Sequence, residues 1–210
     1  MAPGQGILQD LMSVGELDTF GLTDMIESII VTLLPVGFLV VLFGGGALFQ
    51  RKKIEQDGEA PINRLPFYAS KYAILVIWGA MVVQSWGINI SFAEVPRILQ
   101  ITALVLWVSG FVLLYLGRFE LGNSFRLGTP KEETSFKVEG LFRLSRNPMY
   151  VGVYATIVGS SLYTMNLLVI LLGAFVIAIH NTIVLAEERH MQNVFGKEYG
   201  DYCNRVRRYI

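Results

Sequence analysis

The apolar residues of this chain come in blocks of membrane-crossing length. Ile26 to Phe49 is a run of about 24 residues whose only charge is Glu27, near its start. At 1.5 Å rise per residue, such a helix exceeds a hydrocarbon core of roughly 30 Å. Phe67 to Trp86 is interrupted by Lys71 alone, close to one end, where a long side chain reaches the headgroups. Ile98 to Gly117 carries no charge. Met149 to Leu185 carries no formal charge over about 37 residues and is broken in the middle by Tyr163-Thr164-Met165-Asn166. That break predicts a hairpin of two helices, each short enough to need bilayer thinning, tilt or burial against neighbours. The expected fold class is all-α: a polytopic membrane protein with about five transmembrane helices, the last two a helical hairpin, followed by a cytosolic C-terminal helical segment.

Charge adds an orientation. The segment ahead of the first block has Asp10, Glu16, Asp18 and Asp24 and no Lys or Arg. The stretch after it holds Arg51, Lys52, Lys53 and Arg64, and the stretch after the third block Arg118, Arg126, Lys131, Lys137, Arg143 and Arg146. The tail adds Arg189, Lys197, Arg205, Arg207 and Arg208. Because Lys and Arg in short loops stay on the cytoplasmic side, five crossings with the N-terminus outside and the C-terminus inside satisfy every segment. The expected organisation is an extracytoplasmic segment over residues 1–25, with a short surface helix around Ile7 to Met12. Transmembrane helices follow over 26–117, and a functional core over 118–210. The acidic N-terminus lacks the basic start of a cleaved signal peptide.

Composition sharpens this. Apolar residues make up 53% of the chain and charged residues only 16%, against about 25% charged in soluble domains. A formal net charge of zero argues against a nucleic-acid surface. Cys203 is the only cysteine, which rules out an intrachain disulfide and metal-type Cys spacing.

The chemistry is expected in the two long polar segments, Gly117 to Pro148 and Ala186 to Ile210. The first contains Gly122, Gly128, Pro130 and Gly140 and reads as a loop, with a short extended piece around Ser135 to Val138. Pro148 then sits at a first helical position, where its missing amide is no loss, and Asn147 before it suits an N-cap. A helix starting there presents backbone N–H groups fit for a carboxylate or phosphate. The last helix runs from Leu167 through Leu185 into Glu187 and Glu188, and Gly196 is expected to stop it. In a hairpin, opposed polarity brings Arg146 to this acidic pair.

An isolated Arg and Glu could simply pin the hairpin. The Asn-Pro helix start, a tyrosine in the first turn and the second carboxylate point instead to a zwitterionic ligand bearing an amino group, a carboxylate and a ribose. Glu187 and His190 have the i, i+3 spacing of a di-iron ligand pair, but the chain has only two histidines, His180 and His190, so no metal site is expected. His180, beside Asn181 and inside the last helix, either lines a pocket or ties helices together. Gly44-Gly45-Gly46 lies in an apolar helix without the Lys and Ser/Thr of a phosphate loop and suits close packing or a kink. Trp78, Trp86 and Trp107 read as interface or packing residues.

Three stretches, in this order and spacing, resemble the isoprenylcysteine carboxyl methyltransferase and phospholipid methyltransferase superfamily. They are Leu121-Gly122-Asn123-Ser124-Phe125-Arg126; Val138-Glu139-Gly140-Leu141-Phe142-Arg143-Leu144-Ser145-Arg146-Asn147-Pro148-Met149-Tyr150; and Glu187-Glu188 with Phe195-Gly196, Tyr199, Tyr202 and Val206. The resemblance covers roughly Leu113 to Tyr209. It implies an integral membrane enzyme that uses S-adenosylmethionine, with S-adenosylhomocysteine as product, and a lipophilic acceptor among membrane lipids. Carried onto this chain, it implies that Arg146, Asn147 and Tyr150 hold the methionine part, that backbone from Val138 through Gly140 to Leu141 closes over the cofactor, and that Glu187 and Glu188 contact ribose or the amino group. Arg146 and Glu188 are the residues on which catalysis would rest. Carboxyl methyltransferases commonly have histidine where Asn147 stands, and a histidine near the position of Ser135. A phospholipid amine or a small thiol is therefore an alternative acceptor to the prenylcysteine carboxylate. The rivals are a non-catalytic scaffold or transporter and, from a similar Arg-x-Pro-x-Tyr ending, a sterol reductase.

Overall fold

In a computed structural model of the chain, residues 4–44, 60–122 and 138–210 are described. They form α1 (Gly4–Leu39, continued by a π-helical turn Val40–Gly44), α2 (Arg64–Ser85), α3 (Arg97–Leu121), a 3-10 turn (Gly140–Arg143), α4 (Pro148–Thr164) and α5 (Leu167–Arg205), with no strand among the described residues. The loop carrying Arg51 to Lys53, Gly45 and Gly46, and the stretch from Asn123 to Lys137 lie outside the described residues. Among the described residues, four helices are long and apolar enough to cross a membrane: residues 21–43 of α1, and α2, α3 and α5.

Two expectations about the helices change. The N-terminal residues form no separate surface helix, because α1 is unbroken from Gly4. Of the hairpin, only α4 is short, at 17 residues; α5 has 39. Gly196 stops the regular run of α5 as expected: its φ of 50° and ψ of −119° are not helical, and a second helical stretch follows as far as Arg205. Glycine tolerates that φ with no steric cost, so here it redirects the last turns back toward the start of α4.

Small residues position α4. Ala103, Gly110 and Gly117 recur every seven residues along α3 and meet Gly159, Gly152 and Met149 of α4. A Cβ added at Gly110 would stand 2.8 Å from the Gly152 carbonyl oxygen, and one at Gly159 would stand 2.8 Å from that of Ala103. Such contacts let two helix backbones approach closely in lipid, where no hydrophobic force drives them together. Beside this seam, Phe38, Trp78, Trp107 and Phe111 form an edge-to-face aromatic core. Trp78 Nε1 donates to Thr156 Oγ1 at 3.0 Å, so Trp78 and Trp107 serve packing, whereas Trp86 is 56% exposed.

The hairpin breaks where the apolar block does. Met165 turns in the left-handed region, and the Asn166 side chain accepts from the Leu168 and Val169 amides as N-cap of α5. The Phe92 amide donates to the Met165 carbonyl at 3.1 Å, and Asn166 Nδ2 to that of Ile90 at 2.6 Å. The tip of the short α4 thus reaches the loop joining α2 and α3, at the end of the bundle opposite the start of α4. There Glu27 accepts from Tyr163 at 2.5 Å and from Arg97 at 3.0 Å, linking α1, α4 and α3.

Candidate functional site

At the other end, the turn before α4, the first turn of α4 and the far part of α5 meet. Arg146 reaches Glu188 Oε1 through Nε and Nη2, both at 3.0 Å, and donates from Nη1 to the Cys203 and Val206 carbonyls. Arg208 Nε donates to Glu188 Oε2 at 2.9 Å, and Asn147 Nδ2 to Glu188 Oε1 at 3.3 Å. Glu188 is therefore held between two guanidiniums, with its side chain 13% exposed. Charge-assisted bonds of this kind fix geometry strongly.

The bend at Gly196 lets the chain end strap across this point. The Arg146 amide donates to the Arg207 carbonyl at 2.9 Å, Asn147 Nδ2 to that of Arg208 at 3.2 Å, and the Tyr202 hydroxyl to that of Phe142 at 2.6 Å. Asn147 is consequently not the cap its position suggests. Its side chain makes no capping bond, and Ser145 Oγ accepts the Asn147 amide instead. The first amides of α4, at Met149 and Tyr150, receive no side-chain cap from Asn147 and stay available to an incoming acceptor.

Glu187, the neighbour of Glu188, does something different. It accepts from the Tyr150 hydroxyl at 3.2 and 3.1 Å and lines a cavity of about 560 Å³, within the size range of small-molecule sites. Arg146, Asn147, Tyr150 and Glu187 line it near the start of α4; much of the rest is apolar side chains of α1 and α2, among them Phe38, Phe67, Leu75 and Trp78, joined by Leu114 of α3 and by Ile183 and His180 of α5. Lys71 also lines it, its ammonium 3.8 Å from the Phe67 ring centre. The carboxylate pair is thus split between two tasks, Glu188 tying down the strap and Glu187 facing the space.

Backbone near Gly140 sits beside the cavity wall, where Phe142 contributes. Gly140 has a φ of 59°, and a Cβ there would collide with the Glu120 carboxylate. Both Glu120 oxygens accept the Leu141 amide, at 3.2 and 2.9 Å. Leu141 is therefore occupied by α3 through Glu120, a residue that sequence reasoning missed; a carboxylate two residues before Gly122 gives no local hint of a partner about twenty positions on. Val138 is exposed and does not line the cavity. Arg208, Tyr209 and Ser145 were missed for the same reason, since the strap that brings them in depends on the bend at Gly196. No group of His, Cys, Asp and Glu suited to a metal occurs among the described residues.

The arrangement fits the expected cofactor on its own terms. An uncapped helix start suits a carboxylate, and the cavity-facing Glu187 suits an amino group or ribose hydroxyls. Arg146 is already committed to Glu188 and the strap, which makes it a positioning residue in this geometry. Comparison with curated proteins and with solved structures finds no match. Residues 98–198, from α3 through the bend of α5, match the model described as phospholipid methyltransferase, a family within the superfamily of integral membrane methyltransferases that also holds the isoprenylcysteine carboxyl enzymes.

Proposed function

We propose that the protein is an S-adenosylmethionine-dependent methyltransferase whose acceptor is lipophilic and enters the cavity sideways, between α1 and α2. The carrying observation is the cavity itself, polar at the start of α4 and apolar toward α1 and α2. A soluble donor and a lipid acceptor need such a two-character space. When bound, the donor supplies a sulfonium methyl for in-line displacement. The chain's own part is to orient, exclude water and hold charge. The α4 amides and Glu187 hold the donor's polar end, Tyr150 fixes Glu187, and the Glu188 ion pairs keep the strap and α4 in register.

The family match favours a lipid headgroup amine over a prenylcysteine carboxylate as the acceptor. Positive residues gather at this end of the bundle, including Arg143, Arg146, Arg189, Lys197, Arg205, Arg207 and Arg208. That gathering supports a cytoplasmic site and C-terminus, an outside N-terminus and five crossings, with residues 118–210 as the methyltransferase core.

The test is methyl transfer from labelled donor in membranes carrying the protein, with a primary-amine phospholipid, a prenylcysteine and a small thiol as separate acceptors. Label in the amine lipid is expected. Label in the prenylcysteine alone would move the acceptor to the carboxylate, and label in none would favour a scaffold.

A further inference from the structure

The imidazole of His180 has no part in holding the donor or the strap. It lies on α5 seven residues before Glu187, about two turns and roughly 10 Å deeper along the same helix face. It lines the cavity and is only 6% exposed. Its ring meets Tyr150 edge-on at 5.4 Å and lies 6.5 Å from Tyr154. Its Nδ1 is buried with no hydrogen-bond partner. An unmet buried polar atom costs about 1–3 kcal/mol, and an ionisable ring inside an apolar helix is costly as well. Helix tying does not account for this, because no hydrogen bond joins the ring to another described helix.

We propose that His180 is the group that receives the acceptor's reacting N–H within the cavity. This rests on the reading of the cavity as the acceptor site. An amine headgroup arrives as an ammonium and has no lone pair to give until it loses a proton. A neutral imidazole keeps one acceptor nitrogen in either tautomer, so the buried ring can accept an N–H. In the step, an N–H bond of the ammonium breaks and its proton goes to His180. The freed lone pair forms the new N–C bond as the methyl's C–S bond breaks, the electron pair of that bond returning to sulfur. The proton then leaves through the polar mouth. The other charged or titratable groups around the ring are Lys71 on α2, Tyr150 and Tyr154 on α4, and Glu187 on α5. Tyr150 and Glu187 are engaged with each other, and Lys71 is a cation.

The full chain in detergent micelles, with its histidines and tryptophans labelled with ¹⁵N, tests this directly, since only His180 and His190 contribute imidazole signals. The probes are a dialkyl phosphoethanolamine lipid and its N-trimethyl counterpart, which has no N–H. Both are expected to shift the Trp78 indole signal, because Trp78 lines the same cavity, but only the primary amine should shift the His180 ring nitrogens, with His190 unmoved. In parallel, His180→Gln should keep the lipid-induced Trp78 shift and lower methyl transfer to the amine lipid by about 10²–10⁴-fold. If the amine lipid moves Trp78 and not His180, if the trimethyl lipid moves His180 equally, or if His180→Gln transfers normally, the role of His180 is overturned while the acceptor cavity stands. If neither lipid moves Trp78, the cavity reading falls and this inference with it.

Discussion

Adjacent glutamates with separate tasks should separate cleanly on mutation. Glu188 is bonded by Arg146, Arg208 and Asn147, with its side chain 13% exposed. Removing its charge leaves two guanidiniums facing each other. Breaking a fully buried pair costs about 3–5 kcal/mol. Here Arg208 is 39% exposed, and water screens part of the loss, so Glu188→Gln should cost about 2–4 kcal/mol. Glu187→Gln keeps an oxygen for the Tyr150 hydroxyl and should cost less than about 1 kcal/mol, while weakening ligand binding. Arg208→Gln alone should cost about 1 kcal/mol, and close to nothing in a Glu188→Gln background, because the two changes share one interaction. Equilibrium unfolding in mixed micelles of rising SDS fraction reads these values. Equal destabilisation by both glutamate changes, or a Glu188→Gln protein as stable as wild type, would refute the division of labour.

Other sites give sharper local tests. Gly140→Ala meets both a left-handed φ and the Glu120 carboxylate, so it should cost at least about 1 kcal/mol and loosen the turn, seen as faster amide exchange at Leu141. Glu120→Gln should produce the same exchange phenotype at smaller amplitude. Gly159→Val should separate α3 from α4 at the Ala103 carbonyl and destabilise by about 1–3 kcal/mol, whereas Gly79→Val, with open space around it, should change the same unfolding curve little. Tyr163→Phe removes a hydroxyl bond to Glu27 at the far end; it should cost about 1–2 kcal/mol and leave ligand affinity at the site unchanged in titration.

Much of this architecture was legible along the chain because lipid imposes a length rule: the second and third apolar blocks became helices within a few residues of their expected ends, whereas the first lies inside a helix that begins at Gly4. The hairpin break at Tyr163 to Asn166 was equally legible, since Asn166 caps α5. The meeting of Arg146 with Glu188 came from opposed helix direction alone. What escaped depends on contacts across the fold. Gly196 stops the regular helix where the sequence placed the stop, but nothing local foretells the second helical stretch or the strap made by Val206 to Tyr209. Asn147 has the right type for a cap, yet its Nδ2 donates to Glu188 and the Arg208 carbonyl, which turns the side chain to the strap, and its Oδ1 makes no capping bond. Nothing in the pair Glu187-Glu188 says which one faces the cavity, because neighbouring residues on a helix point about 100° apart and the packing decides.

The most direct measurement on the central claim is isothermal titration of S-adenosylhomocysteine into the full chain in micelles. One site is expected in the wild type, with a loss of tenfold or more, about 1.4 kcal/mol, in Glu187→Gln and in Tyr150→Phe, and with Tyr163→Phe binding as wild type. No binding by the wild type, or binding indifferent to Glu187 and Tyr150, would contradict it.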